Sequence, residues 1–331
     1  MYPERIYYEP EALSYELGEQ LRQKFGIVPW IPIHSHNNIE ELRGNSNREF
    51  GHMKRYLIVG IRKTHKYVEN HKISDFLVPY TSSGCSAACL YCYLVCNYNK
   101  CSYLRLFVNR EQMLGKLMKT AADSQRDLTF EIGSNSDLVL ENTITGNLVW
   151  TIERFAKSEK GFLTFPTKFD MVDPLLNLEH GGRIIFRMSV NPEEVIRRVE
   201  FGTSPLKNRI QALNKMCSAG YRVGLLIAPV VLLDDWPKLY TELIRQLAEE
   251  LSPKAKKELT IEIIFMTYSY VHRVINKEAF PNAAELYDAS LMTVRGRGKY
   301  CYRSELRAQG EELLRREIAE KLGGCPILYV V

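Results

Sequence analysis

From about residue 74 the chain alternates short apolar runs with amphipathic stretches. The runs bounded by polar or turn residues read as strands: Phe76 to Tyr80, Leu128 to Ile132, Gly161 to Pro166, Ile184 to Val190, Arg222 to Ala228 and Leu259 to Phe265. Between them lie helical stretches at Arg110 to Ala122, Asn142 to Ser158, a shorter piece at Asp170 to Leu178, Pro205 to Ala219, and Trp236 to Leu251. Asp234 and Asp235 before Trp236 and Pro237, and Ser204 before Pro205, have the character of helix N-termini. Strands that alternate with helices need crossover connections and therefore lie parallel. The pattern predicts an α/β protein, a partial (β/α)6 TIM-type barrel over 73–280, preceded by a helical and irregular N-terminal cap at 1–72. Residues 281–331 depart from that alternation. There GKYCYR reads as a strand, Glu305 to Leu322 as a charged amphipathic helix and ILYVV as a closing strand, an appended α+β C-terminal extension.

Composition narrows the class. The 331 residues are 45% hydrophobic and 25% charged, ordinary for a soluble domain with a sizeable core. No apolar run approaches the roughly 20 residues that span a bilayer, and the amino terminus MYPERIYYEPEAL has no signal-peptide pattern, so a cytoplasmic protein without membrane contact is expected. A formal charge of +5 permits a polyanionic partner without requiring one. Arg295, Arg297, Lys299, Arg303 and Arg307 interleave with Tyr300 and Tyr302, and Arg62, Lys63, Lys66 and Lys72 surround Tyr67. Such segments can hold phosphates and stack on bases, and equally can be solvated faces.

Five of the eight cysteines, Cys85, Cys89, Cys92, Cys96 and Cys101, crowd into one stretch, whereas Cys217, Cys301 and Cys325 stand alone. In a reducing compartment this clustering indicates metal binding or catalysis, not disulfides. The loop TSSGCSAACLYCYLVC directly follows the first barrel strand, where barrel active sites gather. Its Cys-x3-Cys-x2-Cys spacing lets Cys85, Cys89 and Cys92 converge on an iron–sulfur cube and leaves one iron open. A structural zinc site is the alternative, and would need Cys96 or Cys101 as a fourth ligand. The spacing resembles the signature of the radical S-adenosylmethionine superfamily, in which a 4Fe-4S cluster binds the cofactor's methionine end and reductively splits it.

A narrower resemblance spans most of residues 76 to 303. CLYCYL, TKFDMVDPLL, FRMSVNPEEVI, EFGTSPLKNRIQAL, AGYRVGLLIAP and GKYCY, in that order, resemble the spore photoproduct lyase family. The resemblance implies direct repair of a methylene-bridged thymine pair in DNA: hydrogen abstraction at C6, cleavage of the carbon–carbon bridge, and return of a hydrogen atom. It places Tyr91 beside the cofactor, with Ser136, Lys168 and Ser189 on its polar groups, and Tyr93 as a radical relay. The family's hydrogen-donating cysteine falls in the segment resembling FEIGSNSD, where this chain has Ser134. A serine O–H bond is much stronger than a thiol S–H bond, so another donor is needed; Cys96 is favoured ahead of Cys101, with Cys301 third.

A base buried in a duplex must be turned out to reach such a cofactor, at a cost of a few kcal/mol. The expected DNA contacts are Arg295, Arg297 and Lys299 on backbone phosphates, with Tyr300 or Tyr302 against bases, in a hairpin of the C-terminal extension. An electron donor such as a ferredoxin or flavodoxin is implied, and a monomer is expected. Two other functions stay open: a radical relative acting on another nucleic acid or another substrate, and a non-catalytic protein that binds nucleic acid with the cysteine loop as a metal staple.

Overall fold

The structure is a computed structural model that describes residues 2–97 and 103–331; the side chains of Cys96 and Asn97 also lie outside the description. Packing divides the chain into two units: Met1–Ala88, Tyr93–Phe165 and Leu178–Arg183 form the first, and Cys89–Cys92, Pro166–Asn177 and Ile184–Val331 the second.

In the first unit, residues 1–72 are not the helical and irregular cap that the sequence suggests. They contribute three strands to a sheet ordered Trp30–Pro32, Arg5–Tyr8, Tyr56–Gly60, Leu104–Phe107 and Ser82–Ser83, all parallel except the last. Tyr56–Gly60 is buried along its whole length, as expected for a parallel strand covered on both faces. Leu17 and Leu21 of helix Glu16–Lys24 and the following Phe25 close over Ile6, Leu57, Val59, Leu104 and Leu106. Short strands with little alternation look like coil in sequence, which is why periodicity does not reveal this sheet.

A second run in the same unit pairs Phe76–Leu77 with Thr129–Glu131, and Thr129–Glu131 with Phe162–Thr167, all parallel. The predicted helix at 142–158 is two helices, Leu138–Thr145 and Asn147–Phe155. Gly146 takes φ 67° and ends the first as a left-handed cap. The Asn142 side-chain oxygen then accepts from the amides of Leu148 and Val149 at 3.0 and 3.1 Å, starting the second.

The second unit holds Ile184–Val190, Arg222–Val230, Thr260–Phe265 and Ile327–Val330 side by side and parallel, with helices Leu206–Ser218 and Trp236–Glu250 as crossovers. The strand–helix–strand order expected of a partial barrel therefore holds here. The tail is not an appended subdomain: after helix Ser304–Lys321, strand Ile327–Val330 pairs with Thr260–Phe265, Ile327 opposite Ile261. The predicted hairpin is real. Met292–Gly296 and Lys299–Tyr302 pair antiparallel, and Thr267–Ser269 adds a third strand. Among the described residues no helix is long and apolar enough to cross a membrane.

One buried carboxylate organises the first sheet. Glu9 accepts from the amide and Nδ1 of His36 at 3.0 and 2.8 Å and from the amide of Ile61 at 2.8 Å. Gly60 makes room for this cluster, since a Cβ there would lie 2.8 Å from His36 Nδ1 and 3.0 Å from Glu9 Oε2. Burial alone would raise the Glu9 pKa, but the hydrogen bonds from His36 and Ile61 hold it at about 2, below the ordinary 4.5. The stabilisation is therefore complete above pH 4.5 and is lost as the pH falls toward 2. Glu9→Gln should cost about 1–3 kcal/mol at neutral pH. In urea titrations across the acid range, the gap between wild type and variant should close within that same window.

Candidate active site

The cysteine loop is held largely through its backbone. In the first unit, the buried ammonium of Lys54 donates to the Cys85 carbonyl at 2.7 Å, and Cys85 Sγ accepts from the Ala87 amide at 3.4 Å. In the second unit, the Leu90 amide donates to the Val199 carbonyl at 2.9 Å. Helix Tyr270–Ala279 supplies the other anchors: Asn276 Nδ2 donates to the Leu90 carbonyl at 2.7 Å, and His272 Nε2 donates to the Cys92 carbonyl at 3.0 Å. His272 Nδ1 accepts from the Ser269 amide at 3.1 Å, which sets the tautomer with the proton on Nε2. Burial pulls the His272 pKa down and keeps the ring neutral.

Cys85, Cys89 and Cys92 are half-buried and form no disulfide. Three thiols on one short loop, with an amide directed at one sulfur, are a donor set that suits an iron–sulfur cluster. Among the described residues no three Cys, His, Asp or Glu side chains are already gathered in metal-binding geometry, so the fit lies in the donor set.

Within the second unit, Tyr91, Lys168 and Ser189 meet. Lys168 Nζ donates to Ser189 Oγ at 2.5 Å and to the Ala228 carbonyl at 2.7 Å, and lies 5.7 Å from the centroid of the Tyr91 ring. The Tyr91 hydroxyl donates to Glu200. Glu200 also accepts from Asn191 Nδ2 at 2.8 Å and Arg209 Nη2 at 2.7 Å, with Lys168 Nζ at 3.4 Å. Burial would raise the Glu200 pKa, yet Lys168, Arg209 and its hydrogen bonds hold it at about 2.

Ser136 lies in the first unit, where Gly84, the residue before Cys85, bridges to it and Ser82 Oγ, 2.7 Å away, accepts from the Ser136 hydroxyl. Ser82 in turn donates its hydroxyl proton to Glu141 at 2.5 Å. Tyr93 is exposed, and its hydroxyl donates to the carbonyl of Ser134, the position at which the resemblance fails.

This chain matches the spore photoproduct lyase family model over residues 1–331. It belongs to that family. It is 32% identical to the spore photoproduct lyase of Geobacillus sp. (strain Y412MC61), over 99% of this chain and 98% of that protein. With the spore photoproduct lyase of Bacillus subtilis (strain 168) it shares 34% identity over 92% of this chain and 91% of the other. A solved spore photoproduct lyase mutant with bound AdoMet and dinucleoside spore photoproduct matches with a TM-score of 0.92 at 31% identity, covering 99% of both chains. Spore photoproduct lyase complexed with dinucleoside spore photoproduct matches with a TM-score of 0.92 at 30% identity and the same coverage. The α/β fold of spore photoproduct lyase is thus the fold of this chain.

The remaining predicted residues are unevenly placed. Arg295, Arg297 and Lys299 are exposed around the hairpin tip, where Gly296, Arg297 and Gly298 all have positive φ. Tyr300 is half-buried against Tyr287, with ring centroids 4.6 Å apart. Tyr302 is a correction: it is 5% exposed and its hydroxyl accepts from the Leu232 amide at 2.9 Å, so it is a core residue that cannot pack on bases. Cys96 lies in the short helix Leu94–Asn97 with its side chain outside the description, and Cys101 lies outside the described residues. Sequence reasoning missed Lys54, Glu141, Asn191, Glu200, Arg209, His272 and Asn276. Asn191, Glu200 and Arg209 fall inside stretches that carried the family resemblance; the others had no local signal.

Asn276→Asp sets an acceptor against the Leu90 carbonyl and should destabilise the protein by about 1–3 kcal/mol. The expected outcome is less iron and sulfide retained per chain after anaerobic reconstitution, by metal and sulfide analysis. Wild-type retention would mean that the loop is ordered without this contact.

Proposed function

We propose that this chain repairs spore photoproduct in DNA, restoring two thymines by carbon–carbon bond cleavage with a 4Fe-4S cluster and S-adenosylmethionine. The observation that carries the reading is the shared fold: the relative with a TM-score of 0.92 binds both AdoMet and the dinucleoside lesion. This chain keeps three loop cysteines outside any disulfide to go with that fold.

When bound, cluster and cofactor together supply the carbon radical that takes hydrogen from C6 of the lesion. Cys85, Cys89 and Cys92 are the thiolate ligands. Lys168, Ser189 and Ser136 take the cofactor's polar groups, and Tyr91 packs beside it. A ferredoxin or flavodoxin donates the electron, in the cytoplasm.

The returning hydrogen is the unusual part of the reaction here. Ser134 cannot give a hydrogen atom readily to a carbon radical, so we assign that step to the Cys96 thiol, with Cys101 second and Tyr93 as the relay. Ser134 also favours one other reading, a family member that keeps the chemistry but takes a different nucleic acid.

The deciding experiment is an anaerobic assay with dithionite, S-adenosylmethionine and a dinucleotide carrying the methylene-bridged lesion. Restored thymines are expected; 5'-deoxyadenosine without repaired product would favour the different substrate. Cys96→Ala should then lower the yield of thymine or divert it to side products, and an unchanged product profile would remove Cys96 from the mechanism.

On the DNA side, Arg295 and Arg297 contact phosphates and Tyr300 packs on a base. Each contact released on replacement by alanine should lower the slope of log affinity against log salt by about 1. Binding isotherms at several salt concentrations test this, and a double variant with the wild-type slope would exclude the hairpin tip.

A further inference from the structure

We propose that Glu200 is a positioning residue for the cofactor site, presetting Tyr91 and Lys168 through one carboxylate oxygen while the other serves the fold. This rests on the S-adenosylmethionine reading given above.

The division of labour is visible atom by atom. Glu200 Oε2 takes Arg209 Nη2 at 2.7 Å. Arg209 has no exposed surface and spends its other donors on the carbonyls of Ser204 and Ser189, at 2.8 and 3.0 Å, and on Thr203 Oγ1 at 2.7 Å. That half is structural. Glu200 Oε1 faces the other way, toward the Tyr91 hydroxyl, Asn191 Nδ2 and Lys168 Nζ. Asn191 is pinned in turn, since its Nδ2 also donates to the Pro229 carbonyl at 3.0 Å and its Oδ1 accepts from the Tyr240 hydroxyl at 3.1 Å.

Charge supports the same division. One buried carboxylate sits between two cations, which leaves a local surplus of one positive charge. Of the three groups only Lys168 reaches the surface, with its side chain 19% exposed against 0% for Glu200 and Arg209. The surplus is therefore presented at Lys168, where a carboxylate such as that of the cofactor's methionine end can meet it. Because Glu200 already fixes the ammonium and the Tyr91 ring, little side-chain entropy remains to be lost when the ligand binds.

Glu200→Asp keeps the charge on Arg209 but withdraws the carboxylate from Tyr91 by one methylene, about 1.5 Å. Tyr91→Phe deletes only the hydroxyl. On cluster-reconstituted protein, equilibrium dialysis should show S-adenosylmethionine bound roughly ten-fold more weakly by each variant, the loss of one good hydrogen bond. Iron content should stay close to wild type in both variants and melting temperature in Tyr91→Phe, whereas Glu200→Asp, which also lengthens the buried Arg209 contact, should melt lower. The double variant should bind no more weakly than the weaker single one, because both break the same contact. Wild-type affinity in the folded variants, or strictly additive losses in the double, would overturn the positioning role. Should Glu200→Asp fail to fold, Tyr91→Phe decides alone by the same criterion. Absence of binding by the wild-type protein would instead overturn the cofactor reading itself.

Discussion

Taking a carboxylate wholly out of water costs several kcal/mol unless cations and hydrogen-bond donors replace the solvent. Glu200 meets that requirement with Arg209, Lys168, Asn191 and Tyr91, which come from four separate stretches of the second unit. Each partner is also engaged elsewhere: Arg209 with the backbone of Ser189, Lys168 with the side chain of Ser189, and Tyr91 by its place between Cys89 and Cys92. The carboxylate thus ties the end of strand Ile184–Val190 to the cysteine loop. Moving Arg209 would leave this buried charge without its nearest cation, whereas Asn191 and Tyr91 add hydrogen bonds around it.

The first unit solves the same problem differently. Glu141 is 1% exposed and accepts from Thr81, Ser82, Thr145 and Asn147, with no cation among these donors. Burial consequently outweighs the hydrogen bonds and its pKa is raised, whereas that of Glu200 is lowered. Through Ser82 it still reaches Ser136, so a carboxylate held by neutral donors also links into its site. Glu9 is a third case, in which donors from His36 and Ile61 suffice to hold the charged form. The sign of each shift follows from what surrounds the carboxylate, not from burial alone.

The cysteine loop is held by other contacts. A loop that would offer three sulfurs can rely little on those side chains for its own stability. Its backbone is secured from outside instead, by Lys54 on one stretch and by His272 and Asn276 on the other. Such outside support is the preorganisation that a metal held by these thiols would demand of its surroundings.

Much of this architecture was written in local pattern. Strand Ile184–Val190 and helices Arg110–Asp123 and Trp236–Glu250 fall where periodicity put them, because their apolar residues face a core at a fixed repeat. The Cys-x3-Cys-x2-Cys spacing likewise singled out Cys85, Cys89 and Cys92 as a donor set, since it sets three thiols on one short loop. What tertiary structure alone decided are the partners far apart in the chain. The Tyr91–Glu200 and His272–Cys92 contacts span 109 and 180 residues, and no periodicity encodes such a pairing. The same holds for Tyr302, polar and aromatic in a basic segment, which became core once its strand paired against Met292–Gly296 and its hydroxyl met the Leu232 amide. Sequence sets which faces are apolar and which residues can do chemistry; long-range packing sets which polar atoms lose water together, and that determines their partners.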